Sequence, residues 1–120
     1  MKNMILALIC VVITASAAIA DEPEVLNVSV SKAGMVWVVS VTLQHDDTGW
    51  DHYADGWEVL DARGGRLGYR KLMHPHVEEQ PFTRSLSGIV IPDGTREIFI
   101  RTRCSTHGWS TELTRVELSP

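Results

Sequence analysis

The side chains best suited to chemistry are the five histidines and Cys104, one of two cysteines in the chain, and two of the histidines are separated by a single residue. His74-Pro75-His76 begins a polar stretch that ends at Arg84. Residues two apart in an extended segment point to the same side, and a following proline favours an extended conformation for His74. Both imidazoles could therefore reach one ion.

A second pair, Cys104 and His107, has a three-residue spacing that is common among chelating side chains. Imidazole and thiolate together favour zinc or copper over calcium or magnesium. A blue-copper site is less well matched, because no methionine follows His107 as the axial ligand. Acidic residues could add ligands or orient a histidine through hydrogen bonds; they are Asp47, Asp51, Glu78 and Glu79.

Simpler explanations exist for the same residues. Most His-x-His pairs are not ligands. Cys10 lies within the first twenty residues, which are predicted to be removed, so Cys104 remains alone, and a lone cysteine is typically a buried core thiol. Asp46, Asp47, Asp51 and Asp55 form an acidic loop that does not match the helix–loop–helix calcium pattern. A solvated loop is the expected state of these four carboxylates.

The elements that position these residues are predicted to be short β-strands. Apolar and polar residues alternate in several segments, beginning with Leu26, Val28 and Val30 and then Met35 through Leu43. Gly64-Gly65 predicts a hairpin turn, and a slip of the alternation at Ser87-Gly88 predicts a bulge. Seven such strands predict an all-β, immunoglobulin-like or fibronectin-III-like sandwich with Trp57 in its core.

Two resemblances support this expectation. The Pro92-Asp93-Gly94 turn, alternating strand, loop and final strand resemble the end of a fibronectin III domain, which implies a sandwich. The His-Pro-His…Gln-Pro-Phe-Thr-Arg stretch (residues 74–84) is similar to one in small, uncharacterised exported bacterial proteins. That likeness implies export and no particular mechanism.

Sandwich topology predicts where the candidate ligands lie. Consecutive antiparallel strands run end to end, so alternate loops share one end of the sandwich. The sequence therefore predicts a copper or zinc site at one end, with His74 and His76 as central ligands. Four other residues are candidates to complete it: His45, His52, His107 and Cys104.

The first twenty residues have the pattern of a secretory signal. Lys2 precedes an apolar run from Met4 to Thr14, and Ala18-Ile19-Ala20 is a small-x-small cleavage site. We expect residues 1–20 to be a signal peptide and 21–120 a single domain, periplasmic or extracellular. The apolar run is too short to span a membrane.

Other function classes are less well supported. The formal net charge of −4 disfavours nucleic acid as a partner. No nucleophile–base pair within a known motif and no phosphate-binding loop is present, so we expect no enzyme activity. The alternative is a metal-free module that binds a protein or glycan through the same loops, using Trp50, Tyr53 and Trp109.

Overall fold

The computed structural model describes residues 21–118; the predicted signal peptide lies outside the described residues. Eight strands run through this part of the chain: β1 Glu24–Ala33, β2 Val36–Gln44, β3 Ala54–Leu60, β4 Arg66–Lys71, β5 Phe82–Ile89, β6 Glu97–Cys104, β7 Gly108–Trp109 and β8 Thr114–Glu117. Between residues 21 and 118, no helix has the length and apolar character needed to cross a membrane.

The strands form two antiparallel sheets that pack face to face. One sheet has the order β1-β2-β5, and the other has the order β4-β3-β6-β7, with β8 also paired to β6. The apolar faces of both sheets are buried between them; the core includes Val39, Val41, Leu43, Trp57, Val59, Ile98 and Ile100. The predicted all-β sandwich and the core position of Trp57 are confirmed.

The predicted last strand, Glu112 to Leu118, is β8, whereas β7 lies within Ser105 to Ser110, a segment that the sequence predicts to be a loop. The Glu22 carboxylate accepts hydrogen bonds from the backbone N–H and the hydroxyl of Thr111, at 2.8 and 3.0 Å. The segment between β7 and β8 therefore uses the beginning of the chain as its partner. Sequence alternation alone does not reveal this partner, because Glu22 is distant in sequence.

Register details of the three-stranded sheet confirm one prediction and correct another. The pairing of β2 with β5 shifts between Trp37 and Val39, opposite Ser87-Gly88, where a bulge was expected. The first strand has its own shift between Val25 and Asn27. This bulge lets Val25 pack on the core and leaves Leu26 44% exposed, contrary to the alternation predicted from the sequence.

A buried carboxylate organises the outer face of the five-stranded sheet. The side chain of Glu58 is 1% exposed and accepts hydrogen bonds from Nε of Arg66 at 2.7 Å and Nε of Arg101 at 2.6 Å. Both guanidinium groups also lie over the Trp109 ring, at 5.6 and 4.9 Å from its centroid. Trp109 is therefore a packing residue on this sheet face, half-buried among arginines.

Candidate metal site

The strand ends bring the candidate residues to one end of the sandwich. Glu24 at the start of β1 pairs with Gln44 at the end of β2, and Ala54 at the start of β3 pairs with Cys104 at the end of β6. The loop that carries His52 and the loop that carries His107 are joined by the Ser105 N–H, which donates to the Tyr53 carbonyl at 2.8 Å.

Four potential ligand atoms come together at this end. One atom each from Asp21, His45, His52 and Cys104 lie within 4.8 Å of one another, and we call this group the Asp–His–Cys cluster. His45 and Cys104 are buried, whereas Asp21 and His52 are half-buried. Within residues 21–118, no other group of three or more His, Cys, Asp or Glu side chains meets this spacing.

Asp21 lies between three imidazoles. Its carboxylate oxygen Oδ2 is 3.2 Å from Nε2 of His52 and 2.6 Å from Nε2 of His107. Its other oxygen is 3.9 Å from Nε2 of His45. The three rings are arranged edge to face, with centroids 5.0 Å apart for His45–His52 and 6.0 Å for His52–His107. His107 is therefore a fifth donor beside the cluster, and its side chain is 57% exposed.

His45 is held by a buried carboxylate on its far side. Its Nδ1 is 2.7 Å from Oδ1 of Asp47, a residue whose side chain is fully buried, and its Nε2 is 3.0 Å from the Asp21 carbonyl oxygen. A neutral imidazole has only one N–H, so it cannot donate to both oxygens. When Nδ1 donates to Asp47, the lone pair of Nε2 is available to an ion, which is the arrangement that metal-bound histidines commonly have.

Asp47 also connects the cluster to the loop between β4 and β5. Its Oδ1 accepts the Ala54 N–H at 2.9 Å, and its Oδ2 accepts the His76 N–H at 2.8 Å. Gln80 reinforces the connection, because its side chain accepts from the His45 N–H and donates to the His76 carbonyl. One buried side chain thus positions a cluster imidazole, the start of β3 and the His76 backbone.

The spread of the cluster is wider than that of a bound tetrahedral ion. Metal–nitrogen bonds of about 2.1 Å and metal–sulfur bonds of about 2.3 Å place the ligand atoms of a tetrahedral site roughly 3.6 Å apart. The ligand atoms here lie within 4.8 Å of one another, so the widest pair would move about 1 Å closer when an ion binds. Two imidazoles, a carboxylate and a thiolate are all metal-binding groups in proteins.

The structure does not place His74 and His76 at the centre of the six predicted ligands. The His76 ring stacks on Phe82, with centroids 3.9 Å apart, and its Nε2 is 2.9 Å from the Arg84 guanidinium, which can only donate. Its Nδ1 is buried and has no hydrogen-bond partner among the described residues. Neither nitrogen of His76 is open to an ion, and His74 lies beside it, exposed.

The surroundings of His76 favour the neutral form of its imidazole. Burial lowers the pKa of His76 below its ordinary value, and electrostatic interactions with Arg84 and His74 lower the pKa further. The carboxylates of Glu79 and Asp47 oppose this effect only in part. His76 is therefore a structural histidine of the loop in this conformation, with its ring used for packing.

Asp21 is the cluster residue that the sequence did not single out. It precedes β1 by three residues, and the start of β1 lies at the same end of a sandwich as the loop that follows β2. The same topological argument that located the histidines would have located Asp21. No local sequence pattern marks Asp21, because it is a single carboxylate before a strand.

The aromatic residues considered for a binding surface are divided between two places. Trp50 is 69% exposed at the tip of the loop that carries His52, and its ring meets Tyr53 edge to face at 5.7 Å. Trp109 lies on the outer face of the five-stranded sheet, where Tyr69 and three arginines surround it. An aromatic surface at the cluster end therefore excludes Trp109.

Comparisons with known proteins identify similar chains without a stated activity. No protein-family model matches the sequence. The chain is 40% identical over 113 residues to a protein of Halomicrobium mukohataei named "Putative lipoprotein", in an alignment that covers 85% of this chain. The chain spans 55% of that relative's length.

A solved structure shares the fold at low sequence identity. The crystal structure of a hypothetical protein from Pyrococcus horikoshii OT3 matches with a TM-score of 0.56 and 16% identity, and the match covers 82% of this chain and 90% of that one. At this identity the likeness concerns the fold alone. Together, the comparisons and the structure show an all-β sandwich similar in sequence to part of a protein named as a lipoprotein.

Proposed function

We propose that this is an exported protein that binds one transition-metal ion through the Asp–His–Cys cluster, with His107 as an additional ligand. The observation that carries the proposal is the convergence of four ligand atoms within 4.8 Å of one another. The fixed orientation of His45 by Asp47 supports it, because such hydrogen bonds hold metal-binding imidazoles in position. The relative's name and the leader sequence support export.

The donor set favours a borderline or soft first-row ion. A thiolate selects zinc, copper(I) or iron over calcium and magnesium, and imidazoles suit zinc, copper and iron. Copper and zinc are the ions expected from the sequence, and the carboxylate of Asp21 adds iron(II), which two histidines and one carboxylate bind in many proteins. The ligands and the fold suit binding of the ion, and we propose no enzyme activity.

A thermal melt of residues 21–120, produced without a histidine tag, tests the proposal. The melting midpoint is measured in the presence of chelator and, in separate samples under matching conditions, in the presence of Zn²⁺, Cu⁺, Cu²⁺ or Fe²⁺. An ion bound only by the folded state, at about 1,000 times its dissociation constant, stabilises by roughly 4 kcal/mol. Each kcal/mol raises the midpoint by about 4–8 °C in a domain of this size, so we expect a rise of roughly 15–30 °C with the correct ion.

Matched variants assign the rise to the cluster. Cys104→Ser and His52→Gln each remove one cluster ligand, and we expect them to lose most of the metal-induced rise. His74→Gln combined with His76→Gln removes two histidines from the same end of the sandwich, and the rise should remain. A rise that depends on the His74–His76 pair and not on Cys104 would refute this assignment, and no rise with any ion would refute the proposal.

A metal-free interaction module is the second candidate function. It is favoured by apolar side chains exposed at the same end: Trp50 is 69%, Met73 63% and Val77 53% exposed. A protein or glycan partner that binds there would lose affinity on Trp50→Ala whether or not an ion is present. Chelation should have no effect on that affinity, which distinguishes the two functions.

A further inference from the structure

We infer that hydrolysis of the Ala20–Asp21 bond completes the metal site, because the new α-amino group of Asp21 becomes a ligand of the same ion; this inference rests on the proposed function. The leader ends in Ala18-Ile19-Ala20, a pattern that signal peptidases cleave. The residue that follows this pattern is the one that three imidazoles of the described chain surround.

Main-chain and side-chain atoms of Asp21 both reach the cluster. Its carbonyl oxygen lies 3.0 Å from Nε2 of His45, while its carboxylate lies 3.2 Å from Nε2 of His52. Three covalent bonds join the α-nitrogen to that carbonyl oxygen, so the two atoms are less than about 4 Å apart. The α-nitrogen of Asp21 therefore lies no more than about 7 Å from Nε2 of His45, close enough for a rotation of the Asp21 backbone to bring both nitrogens to one ion.

The two residues after Asp21 are anchored, which restricts its position. The Glu22 carboxylate accepts the Thr111 N–H at 2.8 Å, and the Pro23 carbonyl accepts the Thr102 hydroxyl at 2.9 Å. Thr102 belongs to β6 and is buried, so the anchor is part of the sandwich. A ligand held in place by such contacts loses little conformational entropy when it binds.

The chemistry of the nitrogen changes on cleavage. Water adds across the Ala20–Asp21 peptide bond, giving a carboxyl group on Ala20 and an amine on Asp21. The amide nitrogen of the precursor shares its lone pair with the carbonyl group, as the planarity of the peptide bond shows, whereas the free amine can donate its lone pair to an ion. The amine and the carboxylate of Asp21 can then close a six-membered chelate ring around that ion.

The consequence is a site that gains affinity on export. The uncleaved chain has the imidazoles, the thiolate and the Asp21 carboxylate but lacks the amine. Because even groups that only orient a ligand change metal affinity by about 10–100-fold, the loss of a direct ligand should weaken binding at least about tenfold. The chain would then take up its ion after the leader is removed.

Two versions of the protein test the inference. The intact mass of the protein exported from cells should correspond to a chain that starts at Asp21 with an unmodified amine. That protein is compared with one that carries a single added glycine before Asp21, in competition titrations with Zn²⁺ and Cu²⁺. The added glycine keeps every side chain of the cluster and converts the Asp21 nitrogen into an amide. Equal melting midpoints without metal establish that both versions fold alike.

We expect the glycine-extended protein to bind at least about tenfold more weakly. With Co²⁺, both proteins should show a thiolate charge-transfer band from Cys104, while the d–d bands differ because one nitrogen ligand is lost. Equal affinities and identical Co²⁺ spectra would overturn the inference and leave the proposed function intact. An exported chain that starts at another residue would also overturn it. Failure of both versions to bind any ion would overturn the inference together with the proposed function.

Discussion

Replacement of Asp47 should cost more stability than any other single change at the cluster end of the sandwich. Its fully buried carboxylate accepts three hydrogen bonds, from His45 Nδ1 at 2.7 Å, the Ala54 N–H at 2.9 Å and the His76 N–H at 2.8 Å. Asp47→Ala leaves all three groups without this acceptor. A buried donor without a partner costs about 1–3 kcal/mol, so we expect a loss of about 3–5 kcal/mol after local relaxation.

The variant Asp47→Asn distinguishes the hydrogen bonds accepted by Oδ1 from the one accepted by Oδ2. An amide retains one oxygen, which can still accept from His45 and Ala54, but its NH₂ group would face the His76 N–H. We therefore expect a loss of about 1–3 kcal/mol, which corresponds to one unpaired buried donor. The same variant should weaken metal binding by about 10–100-fold, because the carboxylate that orients the His45 ring is replaced by an amide.

Urea unfolding followed by tryptophan fluorescence measures both losses. The neighbouring Asp46 is exposed and is the matched control, since Asp46→Ala should change the free energy of unfolding by less than about 0.5 kcal/mol. If Asp47→Ala unfolds at the same urea concentration as Asp46→Ala, the three hydrogen bonds do not carry the stability assigned to them. That result would refute the account of how the β4–β5 loop and the cluster are joined.

Two further predictions concern pH and the outer sheet face. Because the folded state lowers the pKa of His76, its stabilising contribution is complete above the unfolded pKa of about 6.5 and is lost as the pH falls below that value. Between pH 7.5 and 5, the free energy of unfolding should fall less steeply in His76→Gln than in His74→Gln. Equal slopes in the two variants would show that the lowered pKa of His76 does not cause the fall. Glu58→Gln should cost about 1.5–3 kcal/mol in urea unfolding, because it weakens two charge-assisted hydrogen bonds to a buried carboxylate. Glu97→Gln, which removes the charge of an exposed ion pair, should cost less than about 1 kcal/mol. A similar cost for Glu58→Gln and Glu97→Gln would show that the burial of Glu58 does not strengthen its hydrogen bonds.

Most of the fold follows from local sequence patterns. The alternation at Ile98, Ile100 and Thr102 places these three residues on one face, and they are buried in the structure. The Gly64-Gly65 turn connects β3 to β4 as predicted, and Gly64 has the positive φ that favours glycine there. These features are predictable because a strand side chain points to a side that its position in the alternation sets.

Which loop residues face one another could not be predicted in the same way. Loop side chains have no period, so the orientation of His76 depends on contacts with Phe82 and Arg84, which are made only in the folded chain. The sequence predicted one end of the sandwich for all five histidines. Only the tertiary structure separated the packed His76 from the converging His45 and His52.

The sequence by itself thus determined the class of fold, the end of the sandwich that carries the histidines, and the buried position of Cys104. The tertiary structure decided the membership of the cluster. It added Asp21, which is 83 residues before Cys104 in the chain (104 − 21), and it directed the His76 ring onto Phe82. The physical reason is that burial follows from local alternation, whereas a site with several ligands depends on distances between segments that are remote in sequence.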